Sequence, residues 1–359
     1  MKDAKGIASF ETVSVNILTV EVRKDAEKRD MNKRLAAFLG GILLYVCAAT
    51  AAAQAPAIMS LGYSGSGIST DLRRVIEKTK LWSKRGLDVR PVYFNSGTTL
   101  TQAMLGGHVI ASDSDVPAQL NLKVSGVMDV SIVAVTINRL EHFFVVRSNI
   151  KSAEDLKGKK VAISRFGSAS DVTTRMVVRF WKLDPDKDLV FLQSGNTPTR
   201  IAALVSGQID GALVSPDSLH KVLASNCCRV FADLSEIPLD YARFGIVMPA
   251  AYIKSQRDTA RKFLEAYIEG IHVFKTRPEV ALEALKEDGL TDPQVAKWVY
   301  DRIAKSLREV PTPEPKGIQA AIDSIGTPKA RSAQAKDFID SSLLDEIQKS
   351  GYIAKLYGK

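Results

Sequence analysis

The chain has 359 residues, is 45% hydrophobic and 25% charged, and carries a formal net charge of +9. That length holds two ordinary domains, and the composition is globular, not disordered, collagen-like or disulfide-rich. No internal repeat of roughly 20–50 residues is visible, and no basic cluster is interleaved with aromatics, which excludes a solenoid and a nucleic-acid-binding motif.

Residues 1–30 are polar and precede a complete export signal. Met31-Asn32-Lys33-Arg34 is a basic lead, Leu35 to Ala49 an apolar run too short for an ordinary spanning helix, and Ala51-Ala52-Ala53 a small-residue cleavage site. The expectations are a natural start at Met31, a signal peptide over 31–53 cut before Gln54, and a periplasmic mature protein. Residues 1–53 hold 8 Lys/Arg and 6 Asp/Glu, so +7 remains on the rest. That excess suits an acidic ligand, a basic surface or a merely basic composition. Beyond the signal only Cys227 and Cys228 remain. Neighbouring cysteines bridge only through a strained ring, so free or buried thiols are expected. The histidines His108, His142, His220 and His272 are scattered without metal-ligand spacing, so no metal and no cofactor are expected, and each is read as structural or surface.

Downstream, short strands alternate with helices. Ile58 to Tyr63 reads as a strand ending in a Gly/Ser turn, and Asp71 to Trp82 as an amphipathic helix. Leu87 to Phe94 is the next strand, and Asn95 to Thr99 a polar turn opening a helix. Val109 to Ala111 is the third strand, followed by Ser112 to Asp115 read as a turn, with Asp115 capping a helix that has Pro117 in its first turn. Val130 to Ile137 and His142 to Val146 are β-rich. The series restarts at Lys151: a strand at Val161 to Ile163, the turn Ser164 to Ser170 and a helix from Val172. Leu189 to Leu192, Ile209 to Val214 and Arg229 to Ala232 follow as strands, with helices opening at Thr197 and Pro216. Two successive βα series predict two α/β domains with mainly parallel sheets. Past Phe244 to Met248 the chain turns helical, over 257–276, 278–287, 293–306, 317–325 and 343–349, a tail expected to pack on the first domain.

Four polar turns, 64–67, 95–99, 112–115 and 164–170, follow four strands. In open parallel sheets ligands bind at the carboxyl ends of the strands, where hydroxyls and free helix N–H groups receive an oxyanion. Arg139 and Arg165 are the cations nearest these turns in sequence, each able to grip a carboxylate, sulfonate or phosphate or to stay solvated at the surface. No P-loop, G-x-S-x-G elbow or complete dinucleotide fingerprint is present, so binding without catalysis is expected.

The segments LWSKRGLD (81–88), FNSGTT (94–99), Asn138-Arg139, IKSAEDLKGKKVAISRFGSASD (150–171) and GQIDGA (207–212) resemble the SsuA/THI5-like, nitrate/sulfonate/taurine group of periplasmic solute-binding proteins. The resemblance implies a type II periplasmic-binding-protein fold: two α/β lobes with a cleft between them and a helical C-terminal tail on lobe 1. Its parts would be lobe 1 at 54–146, lobe 2 at 147–243 and lobe 1 resumed at 244–359, with crossings near 146–149 and 243–247. It implies a ligand delivered to the permease and ATPase of an ABC importer. By position it places Ser64, Ser96, Gly97, Thr98, Ser114, Asn138, Ser168 and Ser215 in the cleft. Gly65, Arg165 and Gly167 join them from the turns themselves, and Arg139 from beside Asn138. The expected ligand is a small organic acid or sulfonate-like solute, because the acidic 112–115 turn, unless its carboxylates are paired, would repel a bare anion. A monomer is expected, with no nucleic-acid partner. The rival readings are a periplasmic sensor acting on a protein partner and an enzyme on the same scaffold.

Overall fold

β-Branched and aromatic runs bounded by Gly, Pro and Ser form ten strands in the computed structural model, which describes residues 56–64 and 67–358 together with Met31. The expected signal segment 31–53, the 1–30 extension and Gly65 lie outside the described residues, Met31 apart. Residues 56–359 form one compact unit. The strands are β1 (Ala57–Ser64), β2 (Leu87–Phe94), β3 (Ala111–Asp115), β4 (Val130–Arg139), β5 (Phe143–Arg147), β6 (Lys159–Ile163), β7 (Leu189–Gln193), β8 (Gly211–Val214), β9 (Cys228–Asp233) and β10 (Asp240–Pro249).

They make two five-stranded sheets, ordered β2-β1-β3-β10-β4 and β7-β6-β8-β5-β9. Each sheet carries three parallel strands made by βα crossovers. In the first, β10 runs antiparallel between β3 and β4; in the second, β5 runs antiparallel between β8 and β9. The sheets are therefore mixed, and the antiparallel strands are the ones that enter each lobe from the other. The chain crosses at 140–142 and again at 234–239, several residues before the expected crossings, so β5 belongs wholly to the second sheet. The crossings are short: Leu140 is itself buried, which makes 130–147 read as nearly continuous β pattern.

The helix Arg257–Thr276 lays Phe263, Tyr267, Ile271 and Phe274 against the first sheet and the helix Ile68–Lys78, with Pro278–Glu287, Pro293–Ser306 and Ser342–Lys349 packed around it in one core. This is the lobe 1 packing expected of the tail. One of these helices also reaches the second lobe: Arg302 pairs with Asp233 at 2.7 Å and lies 4.6 Å over the Phe143 ring. Among the described residues no helix is long and apolar enough to cross a membrane.

Candidate functional site: a polar cleft between the two lobes

The helices that follow the parallel strands begin where those strands end. Ser96 caps Gly97–Leu105, accepting from the Thr99 N–H at 3.2 Å. Ser168 caps Ala169–Phe180, accepting from Asp171 at 3.4 Å, and Asn196 caps Thr197–Val205, accepting from Thr199 at 3.1 Å. All three caps line one cavity between the lobes, of ≈ 550 Å³ counting its open mouth. Its wall also includes Ser64, Asn95, Asp115, His142, Ser164, Ser170, Thr173, Arg200, Leu213, Arg243 and Phe244. Each helix start adds partial positive charge and N–H groups aimed at the cavity.

The hydroxyls there are already networked. Ser164 Oγ donates to Ser168 Oγ at 2.8 Å and lies 3.0 Å from Ser170 Oγ, while the Ser164 N–H donates to Ser170 Oγ at 2.8 Å. On the facing wall Ser64 and Ser114 share a short hydroxyl contact. The lobes meet around the rim: Thr98 Oγ1 donates to the Phe166 carbonyl at 3.3 Å, and Asn196 Nδ2 lies 3.3 Å from the Tyr93 hydroxyl.

Two buried arginines face the cavity, and they differ. Arg243, from β10, forms an ion pair with Asp115 and lies beside the half-buried His142 ring, at 3.0 Å from Nε2. Arg200 is 4% exposed and reaches only neutral groups: the Gly195 carbonyl at 2.7 Å, Thr197 Oγ1 at 3.0 Å and the Leu213 carbonyl at 3.3 Å. Among the described residues no carboxylate pairs with it. Burial pulls its pKa down to about 10 and that of Arg243 to about 9. Burial, with Arg200 and Arg302 nearby, holds His142 down to about 3, so its ring is neutral at pH 7. A buried guanidinium with no counterion, beside helix N-termini, makes the electrostatic potential of the cavity favourable to negative charge.

Of the residues singled out in the sequence, Ser64, Ser96, Gly97 and Ser168 line the cavity, Ser114 touches Ser64, and Thr98 joins the lobes at the rim. Others lie elsewhere. Asn138 is packed under Gly317 and donates to Glu314 at 3.1 Å, and Arg139 donates to the Ser235 carbonyl at 3.2 Å in the crossing region. Arg165 is exposed and outside the cavity wall. Gly167, also exposed, takes φ +75° and turns its N–H to Asp171 at 2.8 Å. Ser215 occupies the N-cap position of the helix Pro216–Leu223 and does not line the cavity. Sequence reasoning did not single out Arg200 or Arg243, which line the cavity; His142, read there as structural or surface, lines it too.

The 112–115 stretch also differs from expectation. It is the strand β3 and not a turn, and each of its carboxylates has a partner within the protein. Asp113 is buried and accepts from the Tyr267 hydroxyl at 2.7 Å, behind the sheet; Asp115 is taken by Arg243 and leaves its helix-capping place without a side-chain bond. The repulsion argument against a bare anion therefore falls away.

Burial raises the Asp113 carboxyl to about 7, against the opposing Tyr267 hydrogen bond and Arg73 charge. A carboxyl raised in the folded state keeps its proton there and releases it on unfolding between about pH 4 and pH 7. Its contribution is thus full below about pH 4 and is lost as pH rises through 7. Asp113→Asn keeps the acceptor for Tyr267 and removes the titration. It should stabilise the protein at pH 8 by on the order of 2 kcal/mol and change little at pH 4. Urea melts at both pH values check this; an equal effect at both would refute it.

Two mixed α/β sheets with a polar cleft at the carboxyl ends of their parallel strands define the periplasmic-binding-protein fold. The chain belongs to the NMT1/THI5-like family, whose model matches residues 78–281. Solved structures with the same fold include a protein from Bordetella bronchiseptica RB50, with TM-score 0.72 and 19% identity over 82% of this chain and 98% of that one. The alkanesulfonate-binding protein SsuA from Xanthomonas axonopodis pv. citri, bound to MOPS, superposes with TM-score 0.66 and 16% identity over 82% and 98%. The periplasmic nitrate-binding protein NrtA from Synechocystis PCC 6803 gives TM-score 0.65 and 13% identity over 83% and 90%. At such identities the likeness is one of fold. No curated protein matches the sequence.

Proposed function

We propose that this chain is a non-catalytic periplasmic solute-binding protein that captures a small acidic solute, an organic acid or sulfonate-like anion, between its lobes and presents it to the permease of an ABC importer. The observation that carries the reading is Arg200, a buried cation in the cleft whose hydrogen-bond partners are all neutral. An anion arriving there completes a charge-assisted pair in a site whose desolvation is already in place. The capped helix starts at Ser96, Ser168 and Asn196 supply further donors from both lobes, so the ligand would stabilise the closed arrangement. The alkanesulfonate- and nitrate-binding neighbours lend support to an acidic ligand.

The test is thermal shift and calorimetry with alkanesulfonates, taurine, nitrate and small carboxylic acids. A true ligand at about 100 times its Kd should add about 2.7 kcal/mol of stability, a rise of several degrees in Tm, and should be recovered chemically unchanged. Absence of a shift with every small anion at millimolar concentration would sink the proposal, and turnover of a bound one would revive the enzyme.

A further inference from the structure

Outside the cleft, Cys227 and Cys228 are a pair of side chains with reactive chemistry that the solute-binding reading leaves unused. In a regular strand, adjacent side chains point to opposite faces, which would keep neighbouring thiols apart. Here Asn226 takes a left-handed conformation, φ 55°, and β9 starts only at Cys228, so Cys227 belongs to a turn. The corner swings both side chains together, and the two Sγ atoms lie 2.7 Å apart. Strand β9 is at the edge of its sheet, which leaves the corner open on one side: Cys227 is half-buried and Cys228 buried.

The two sulfurs are not equivalent. Cys228 pairs in the ladder with Arg147, and Cys227 Sγ lies 3.0 Å from Ser225 Oγ. Burial, reinforced by its neighbour, pushes the Cys228 thiol up to about 12. Burial opposes ionisation of Cys227 as well, but hydrogen bonds from Cys228 and Ser225 and the Arg147 charge outweigh it and hold that thiol below its ordinary value. The accessible sulfur is thus the better thiolate, with a protonated thiol beside it.

We propose that Cys227 and Cys228 form a dithiol modification site that closes reversibly to a disulfide by exchange with a disulfide-bearing molecule, Cys227 attacking and Cys228 resolving. The Cys227 thiolate attacks one sulfur of the incoming disulfide, forms a mixed disulfide and expels the first thiolate. Cys228 then gives up its proton to solvent and attacks Cys227 Sγ, expelling the second thiolate. The pair loses two electrons and two protons, and the incoming disulfide is reduced to two thiols. Adjacent residues hold their Cα atoms about 3.8 Å apart, below the usual disulfide span, so the closed ring is readily reopened by thiols.

The experiment treats the native full chain with oxidised glutathione, quenches with acid and maps tryptic peptides by mass. Cleavage after Lys221 and Arg229 puts both cysteines on one peptide, separate from Cys47. In the unsubstituted protein that peptide should lose two hydrogens, carry no glutathione and regain both hydrogens with dithiothreitol. Cys228→Ser, with Cys228→Ala as a second variant should the first fold poorly, should instead retain glutathione on Cys227. Cys227→Ser should react at least about tenfold more slowly than Cys228→Ser. A stable glutathione adduct on the unsubstituted protein, an unreacted peptide, or Cys227→Ser reacting as fast as Cys228→Ser would each overturn the proposal.

Discussion

Arg200→Ala should abolish measurable ligand binding while leaving the empty protein as stable as before, or slightly more so. The two halves of this expectation have one cause. In the empty cleft the Arg200 guanidinium is nearly fully buried and braced by two carbonyls and a hydroxyl, with no carboxylate to repay its desolvation. Removing such a charge relieves a desolvation cost that offsets the charge-assisted hydrogen bonds lost with it. With an anion bound, the same charge becomes one partner of a desolvated ion pair. Truncating one partner of such a pair typically costs about 2–5 kcal/mol, a loosening of roughly 30- to 5000-fold. Arg243→Ala should behave differently. It strips Asp115 of its partner and leaves a carboxylate facing the cleft, so the empty protein should lose stability as well as affinity. Paired calorimetry and urea melts on the two variants separate these roles. A large drop in apo stability for Arg200→Ala, or retained affinity, would remove Arg200 from the site.

The sequence made the βα alternation, the strand-end position of the site and part of its wall legible, because those depend on local pattern. Ser64, Ser96 and Ser168 follow apolar runs and precede helices, and turn chemistry alone places them at the carboxyl edge of a sheet. The cations were not legible in that way. Arg139 and Arg165 are close to the turns along the chain, yet one reaches the crossing region and the other is exposed. A signal for Arg200 did exist. It sits just inside the start of Thr197–Val205, where a cation opposes the helix dipole, a placement that makes physical sense if an anion arrives there. Strand β3 was hidden for another reason. Ser and Asp have poor strand propensity, and what holds them is long-range: Asp113 to Tyr267, Ser114 to Ser64, Asp115 to Arg243. Likewise the antiparallel entry of β5 and β10 is a property of the two-lobed path of the chain, which no local window contains.

Gly245→Ala should cost about 4 kcal/mol of stability, a larger penalty than a single methyl group ordinarily brings. Gly245 lies in β10, the strand that returns the chain to the first sheet and is hydrogen-bonded on both edges, opposite Ser114 of β3 and Val135 of β4. The ladder with β4 shifts register between Phe244 and Gly245, and this irregularity turns the Cα of Gly245 toward its neighbour. A Cβ there would stand 2.4 Å from the Ala134 carbonyl oxygen and 3.0 Å from Val116 Cγ2. The first of these is backbone of a central ladder and cannot retreat as a flexible side chain would, and β10 cannot shift away from it because β3 holds its other edge. The methyl must therefore be accommodated by parting β10 from β4, which breaks ladder hydrogen bonds in a buried sheet. Phe244 and Arg243 immediately precede the displaced residue and line the cleft, so ligand affinity should fall together with stability, in contrast to Arg200→Ala. At roughly 1.5–2 °C per kcal/mol for a folded unit of this size, the expected fall in Tm is about 6–8 °C. A Tm within about a degree of the parent would mean that β10 has slack at this position, and the rigidity ascribed to the returning strand would have to be abandoned.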